Sequence, residues 1–159
     1  MKFCENPFNT LHVHTASYIT CCSSWFTSPS EVRVGGKYEN LWKVWNHEKF
    51  QKLREAWLNQ DDSFCKNCIF TLLNNRVDPP VKSYMTPVMT RGPSVVIFAN
   101  DMTCNLHCWS CRSRPIIEKR QDEIFRQTKN VLDTFHDSIK FISAIGSGDP
   151  LAEINFMLS

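Results

Sequence analysis

This sequence has no long apolar run, no internal repeat, no low-complexity tract and no strong excess of either charge. Each absence excludes something. No stretch approaches the ~18 apolar residues that a membrane-spanning helix needs, so no membrane partner is expected. Met1-Lys2-Phe3-Cys4-Glu5-Asn6-Pro7 lacks the apolar core of a secretory signal, so a cytoplasmic chain with reduced thiols is expected. A formal net charge of +2 gives no pull towards a polyanion. Arg76, Lys82 and Arg91 are scattered, whereas nucleic-acid binding gathers basic residues into a stripe. No nucleic-acid partner is expected.

What the chain does have is cysteine, eight in all. In a reducing compartment, clustered cysteines favour metal over disulfides. Three fall in Cys104-Asn105-Leu106-His107-Cys108-Trp109-Ser110-Cys111, spaced C-x3-C-x2-C. A closed zinc site or an ordinary iron–sulfur cluster takes four protein ligands. Three ligands leave one corner open, where a substrate or cofactor can bind. Two plainer readings stand beside this one. A C-x2-C pair is also a zinc spacing, and the loop is half of a zinc knuckle if His107 is the fourth ligand.

The flanks predict a βαβ unit. Ser94-Val95-Val96-Ile97-Phe98-Ala99-Asn100 is a short apolar run, rich in β-branched residues, as in a strand buried on both faces. From Glu118 to His136, Ile124, Thr128, Val131, Leu132 and Phe135 recur at helical spacing, opposite Arg126, Lys129 and Asp133. Ile139 to Ile145 reads as a second strand and runs into Gly146-Ser147-Gly148-Asp149-Pro150. In parallel sheets, reactive groups sit at the carboxyl ends of the strands. The cysteine loop and the glycine turn both fall at that end, which a zinc knuckle would not require.

The cysteine loop resembles the signature of the radical SAM enzymes. The resemblance implies that Cys104, Cys108 and Cys111 hold a 4Fe–4S cluster and that S-adenosylmethionine (SAM) chelates the fourth iron. Trp109 matches the aromatic position of the same pattern, and the resemblance counts it among the cofactor-binding residues. The Gly146–Pro150 turn resembles the family's GGEP motif, implying that Gly146, Ser147, Gly148 and Asp149 bind the cofactor, Asp149 through its amino group. Ser147 and Asp149 depart from that motif, and Asp keeps the carboxylate on a stem one methylene shorter. The plain alternative is an ordinary glycine-rich turn.

The other five cysteines, Cys4, Cys21, Cys22, Cys65 and Cys68, precede these elements. Leu11–His14 and Tyr18–Thr20 read as short strands around a turn at Thr15-Ala16-Ser17. Asn46 to Leu58 reads as a helix, with Asn46 as N-cap, a stripe of Phe50, Leu53 and Trp57, and Trp42 and Trp45 packed below it. His12 and His14 share one strand face and read as ordinary polar strand residues. Asp61-Asp62 reads as a solvated helix end. Asn74 to Pro93, with Pro79, Pro80, Pro87 and Pro93, reads as an extended linker.

This half resembles the SPASM/twitch accessory domains of radical SAM proteins. Cys4 is followed by a spacer, Ala16 where the family has glycine, and Cys21. Trp45-Asn46, Lys49-Phe50 and Leu53-Arg54 match its helix, and Cys65-Lys66-Asn67-Cys68 closes the set. The absence of further cysteines before Cys104 favours the smaller twitch form. The resemblance implies an auxiliary 4Fe–4S cluster on Cys4, Cys21, Cys65 and Cys68, with Cys22 an alternative to Cys21. A structural zinc site of four cysteines is the alternative. With Ala16 at the glycine position, the turn is strained or of another type.

The expected fold is therefore α/β. It comprises a small metal-binding α+β twitch-like domain over 1–73, a proline-rich linker over 74–93, and the first βαβ part of a partial (β/α) TIM-like barrel over 94–159. A (β/α) unit takes about 30 residues, so the 66 residues after Pro93 hold roughly two units, and a truncated radical SAM domain is expected. The implied function is reductive cleavage of SAM to a 5′-deoxyadenosyl radical, which abstracts hydrogen from an unidentified substrate. An external donor such as flavodoxin or ferredoxin supplies the electron. The alternative is a non-catalytic zinc- or iron–sulfur-binding module.

Overall fold

A computed structural model describes residues 4–21, 32–36, 40–61, 63–65, 82–104, 116 and 119–144. A single helical turn, α1 (Asn6–Asn9), opens with proline in its first turn, where a missing N–H costs nothing. It delivers the chain into β1 (Thr10–His14). The turn at Thr15-Ala16 returns it as β2 (Ser17–Ile19), antiparallel to β1, and β3 (Arg33–Gly35) pairs antiparallel with β2. Two helices follow, α2 (Leu41–Trp45) and α3 (Glu48–Leu58), then a 3-10 turn at Ser63–Cys65. After these come β4 (Val95–Ala99), α4 (Gln121–Phe135) and β5 (Phe141–Ser143). The strands make one open five-stranded sheet in the order β3-β2-β1-β4-β5, with β4 parallel to both β1 and β5. The molecule is thus mixed α/β.

The chain on either side of the expected linker shares this sheet. β1 and β4 pair along their whole lengths, from Thr10 opposite Val95 to His14 opposite Ala99. β4 is apolar throughout, and its two edges must both find hydrogen-bond partners. β1 supplies one edge and β5 the other. Val96 and Phe98 are buried, whereas Val95, Ile97 and Ala99 are half-buried. The strand is therefore fully covered on one face rather than on both.

The segment expected as a linker also behaves otherwise where it is described. Residues 82–93 are pinned to the helices. Met85 and Met89 are buried, and Trp45 Nε1 donates to the Arg91 carbonyl at 2.8 Å. Asn46 does not cap the long helix as expected. Its amide donates to the Met89 carbonyl at 3.0 Å and its oxygen accepts from the Met89 N–H at 2.7 Å. The side chain thus acts as a strand edge for one residue, and the α3 cap falls to His47, whose Nδ1 accepts from Lys49 N–H. The expected single helix is broken there, with Asn46 closing α2. Trp45 is buried below α3 as expected, while Trp42 turns to meet Phe135 of α4 edge-on.

Register places Leu11, Val13, Tyr18, Val34, Val96 and Phe98 on one sheet face. They bury with the apolar sides of α2, α3 and α4 in one core. Arg54 lies inside this core with no exposed surface. Its Nε donates to the Pro7 carbonyl at 2.7 Å, Nη1 donates to the Pro87 carbonyl, and its guanidinium stacks over Trp45. Burial lowers its pKa to about 9. One side chain therefore ties α3 to α1 and to the 82–93 segment.

Candidate metal centre

Parallel pairing brings the carboxyl ends of β1, β4 and β5 to one edge of the sheet. His14 and Ala99 end their strands side by side, and Ser143 of β5 lies opposite Ile97. Asn100 to Cys104 leaves from that edge. Cys104 N–H donates to the Ile116 carbonyl at 2.8 Å, and Ile116 N–H donates back to the Cys104 carbonyl at 2.9 Å. This antiparallel bridge closes the base of the loop that carries Cys108, Trp109 and Cys111. These three residues, like the Gly146, Ser147, Gly148 and Asp149 turn, lie outside the described residues. Cys104 is half-buried and carries a free thiol.

Beneath Cys104 lies a polar network that the sequence reading missed. Asn100 is 2% exposed. Its amide nitrogen donates to Gln127 Oε1 at 3.0 Å and to Thr128 Oγ1 at 3.2 Å, both on α4. Its carbonyl accepts from Thr15 Oγ1 in the β1–β2 turn. Gln127 Nε2 then donates to the His14 carbonyl and the Tyr18 hydroxyl. Closer to the loop, Thr103 N–H donates to Asp101 Oδ1, and Gln121 Nε2 donates to Thr103 Oγ1. The signal was Thr128, a hydroxyl within the helix's apolar stripe, because a buried polar group at a core position has to be paired.

The remaining described cysteines mark the opposite end of the sheet. Cys4 precedes α1 and β1, and Cys21 lies two residues past β2, beside the start of β1. Thr20 Oγ1 donates to Pro7 of α1 at 3.0 Å, holding those two segments together. Cys65 ends the 3-10 turn that packs on α3, and α3 packs on α1. Cys22 and Cys68 lie outside the described residues. Cys21 thus lies by the start of β1, whereas Cys104 follows the end of its parallel neighbour β4, and the paired strands between are roughly 13 Å long at strand rise. Among the described residues, no three His, Cys, Asp or Glu side chains form a metal-holding group.

The sheet's second face carries His12 and His14, their rings stacked at 6.4 Å and 9°. Burial, then the neighbouring His14, lowers the His12 pKa to about 4. Burial and then Arg33 lower that of His14. His12 Nε2 is buried without a partner, so these are not ordinary polar strand residues. Ala16 needs no glycine, because of the described non-glycine residues only Gln60 has a left-handed backbone, at φ 59°. Asp61 is exposed and caps the 3-10 turn by accepting from Ser63 N–H, whereas Asp62 lies outside the described residues.

No described helix is long and apolar enough to cross a membrane. Comparison with known protein families, with curated proteins and with solved structures finds no match.

Proposed function

We propose that this chain is part of a radical SAM enzyme, with a partial-barrel portion built on β4, α4 and β5 and, before it, a twitch-like portion that shares the same sheet through β1. One observation carries the reading. The C-x3-C-x2-C loop springs from the carboxyl end of a central parallel strand, and a two-way backbone bridge closes its base at Cys104 and Ile116. Exposed chemistry in parallel sheets collects at that edge.

Cys104, Cys108 and Cys111 would bind a 4Fe–4S cluster as thiolates. Trp109 would pack beside it, and Gly146, Ser147, Gly148 and Asp149 would receive SAM from the end of β5. When bound, this pair supplies one-electron cleavage of SAM for hydrogen abstraction, with electrons from a flavodoxin or ferredoxin. Cys4, Cys21, Cys65 and Cys68 would hold an auxiliary cluster at the far end of the sheet, with Cys22 able to stand in for Cys21. Four ligands there would leave no open corner.

The test is replacement of Cys104, Cys108 and Cys111 by Ala in anaerobically reconstituted protein. The cluster whose EPR spectrum changes on adding SAM should vanish, and a cofactor-blind cluster should remain. A SAM-dependent spectral change that survives the triple substitution contradicts the assignment.

A further inference from the structure

We infer that Asn100, Gln127 and Thr128 are positioning residues for Cys104, fixing the point at the carboxyl edge where β4 gives way to the cysteine loop. This rests on the radical SAM reading of the loop.

Asn100 and Thr128 are almost wholly enclosed, and an amide placed there without partners costs about 1–3 kcal/mol. An apolar residue at position 100 would continue the strand pattern of β4 and need no partner. Asn100 instead ties the end of β4 to two further elements. Its amide holds α4 through Gln127 and Thr128, while the Asn100 backbone holds the β1–β2 turn through Thr15. Gln127 extends the tie to the last carbonyl of β1 and to Tyr18 of β2. The point where β4 becomes the cysteine loop is thus fixed against β1, β2 and α4 together.

From Asn100 the constraint passes along a short chain. Asp101 turns the backbone by accepting from Thr103 N–H, and the first residue of α4, Gln121, holds the Thr103 hydroxyl. Cys104 follows at once and is locked to Ile116. Of these side chains only Cys104 would be a ligand; Asn100, Asp101, Thr103, Gln121, Gln127 and Thr128 would not. Partners bonded directly to metal ligands characteristically set affinity 10- to 100-fold; these groups stand one step further back and act through the backbone that leads to Cys104.

The experiment uses the full chain, reconstituted anaerobically with ferrous iron and sulfide. Asn100→Ala, Gln127→Ala and Thr128→Val are compared with Val34→Ala. Val34 is buried in the edge strand β3 and reports a general loss of stability. The first readout is the rate at which the SAM-responsive EPR signal disappears in the presence of an iron chelator. The second, independent of metal, is hydrogen exchange at the Cys104 amide. Asn100→Ala and Gln127→Ala should lose the signal severalfold faster, up to roughly tenfold, and lose protection at Cys104, whereas Val34→Ala should do neither. Thr128→Val keeps the side-chain shape and removes one acceptor. It should fold even if Asn100→Ala does not, and should accelerate loss severalfold. Equal rates and equal Cys104 protection in Thr128→Val, Asn100→Ala and Val34→Ala would overturn the inference while leaving the cluster reading intact. A wild-type chain that takes up no iron would overturn both.

Discussion

At the scale of the residue, enclosed polar groups, in the core and on the sheet's second face, decide more than their number suggests. His12 is the clearest case. Unfolded, it takes a proton near pH 6.5; folded, only near pH 4. Between these values the unfolded state holds more protons, so stability falls as pH drops from 6.5 to 4 and levels off below. The whole effect is at most roughly 3.5 kcal/mol. His12→Leu should fill the space between Ile19 and Ile97, its register neighbours. Urea unfolding at a series of pH values should then show a shallower acid loss across that window. An unchanged slope would mean that His12 is not held neutral by burial. Little of this was legible in the sequence. The shared face of His12 and His14 follows from strand alternation alone, but the burial that makes them unusual is set by the packing around the sheet. The same holds for Arg54, which matched a helix pattern as an arginine without revealing that it sits inside the core.

At the scale of the element, the periodic signals were legible and the boundaries less so. β4 and α4 lie where apolar runs and helical spacing put them, over Val95–Ala99 and Gln121–Phe135. The break between α2 and α3 was not legible. Asn46 has the chemistry of an N-cap, yet a distant partner, the backbone of Met89, claims both its amide groups. The 82–93 segment misled for a related reason. Prolines predict extended chain, and extended chain can still be packed. Gly92 shows how closely. A Cβ there would meet the Ser138 hydroxyl and, at 2.6 Å, Cδ1 of the buried Phe135 at the end of α4. Gly92→Ala should therefore destabilise the chain by about 1–3 kcal/mol through overpacking, measured as a lower urea midpoint at constant slope. A neutral result would show that this segment and α4 are not in tight contact.

At the scale of the whole molecule, the α/β class was legible because alternating strands and helices admit few other solutions. The shared sheet was not. Sequence reading divided the chain at its prolines, but hydrogen-bonding demand on both edges of β4 joins the first strand to the fourth. The consequence is a molecule with two chemically distinct ends. Cys104 lies at the carboxyl edge, and Cys4 and Cys21 lie at the other. β5 closes the described sheet with Phe141 60% and Ile142 49% exposed, as an open sheet edge does. Of the candidate centre, the cysteine spacing was readable from sequence; the bridge to Ile116 and the Asn100 network beneath it depend on contacts between elements far apart in the chain.

The central claim is that the three-cysteine loop is an iron–sulfur site open to SAM. Metal and acid-labile sulfide analysis of the anaerobically purified chain, with EPR recorded before and after adding SAM, tests it most directly. The account predicts brown protein containing iron and sulfide in equal amounts, with one cluster spectrum that SAM alters. Colourless protein with bound zinc and no sulfide would contradict it.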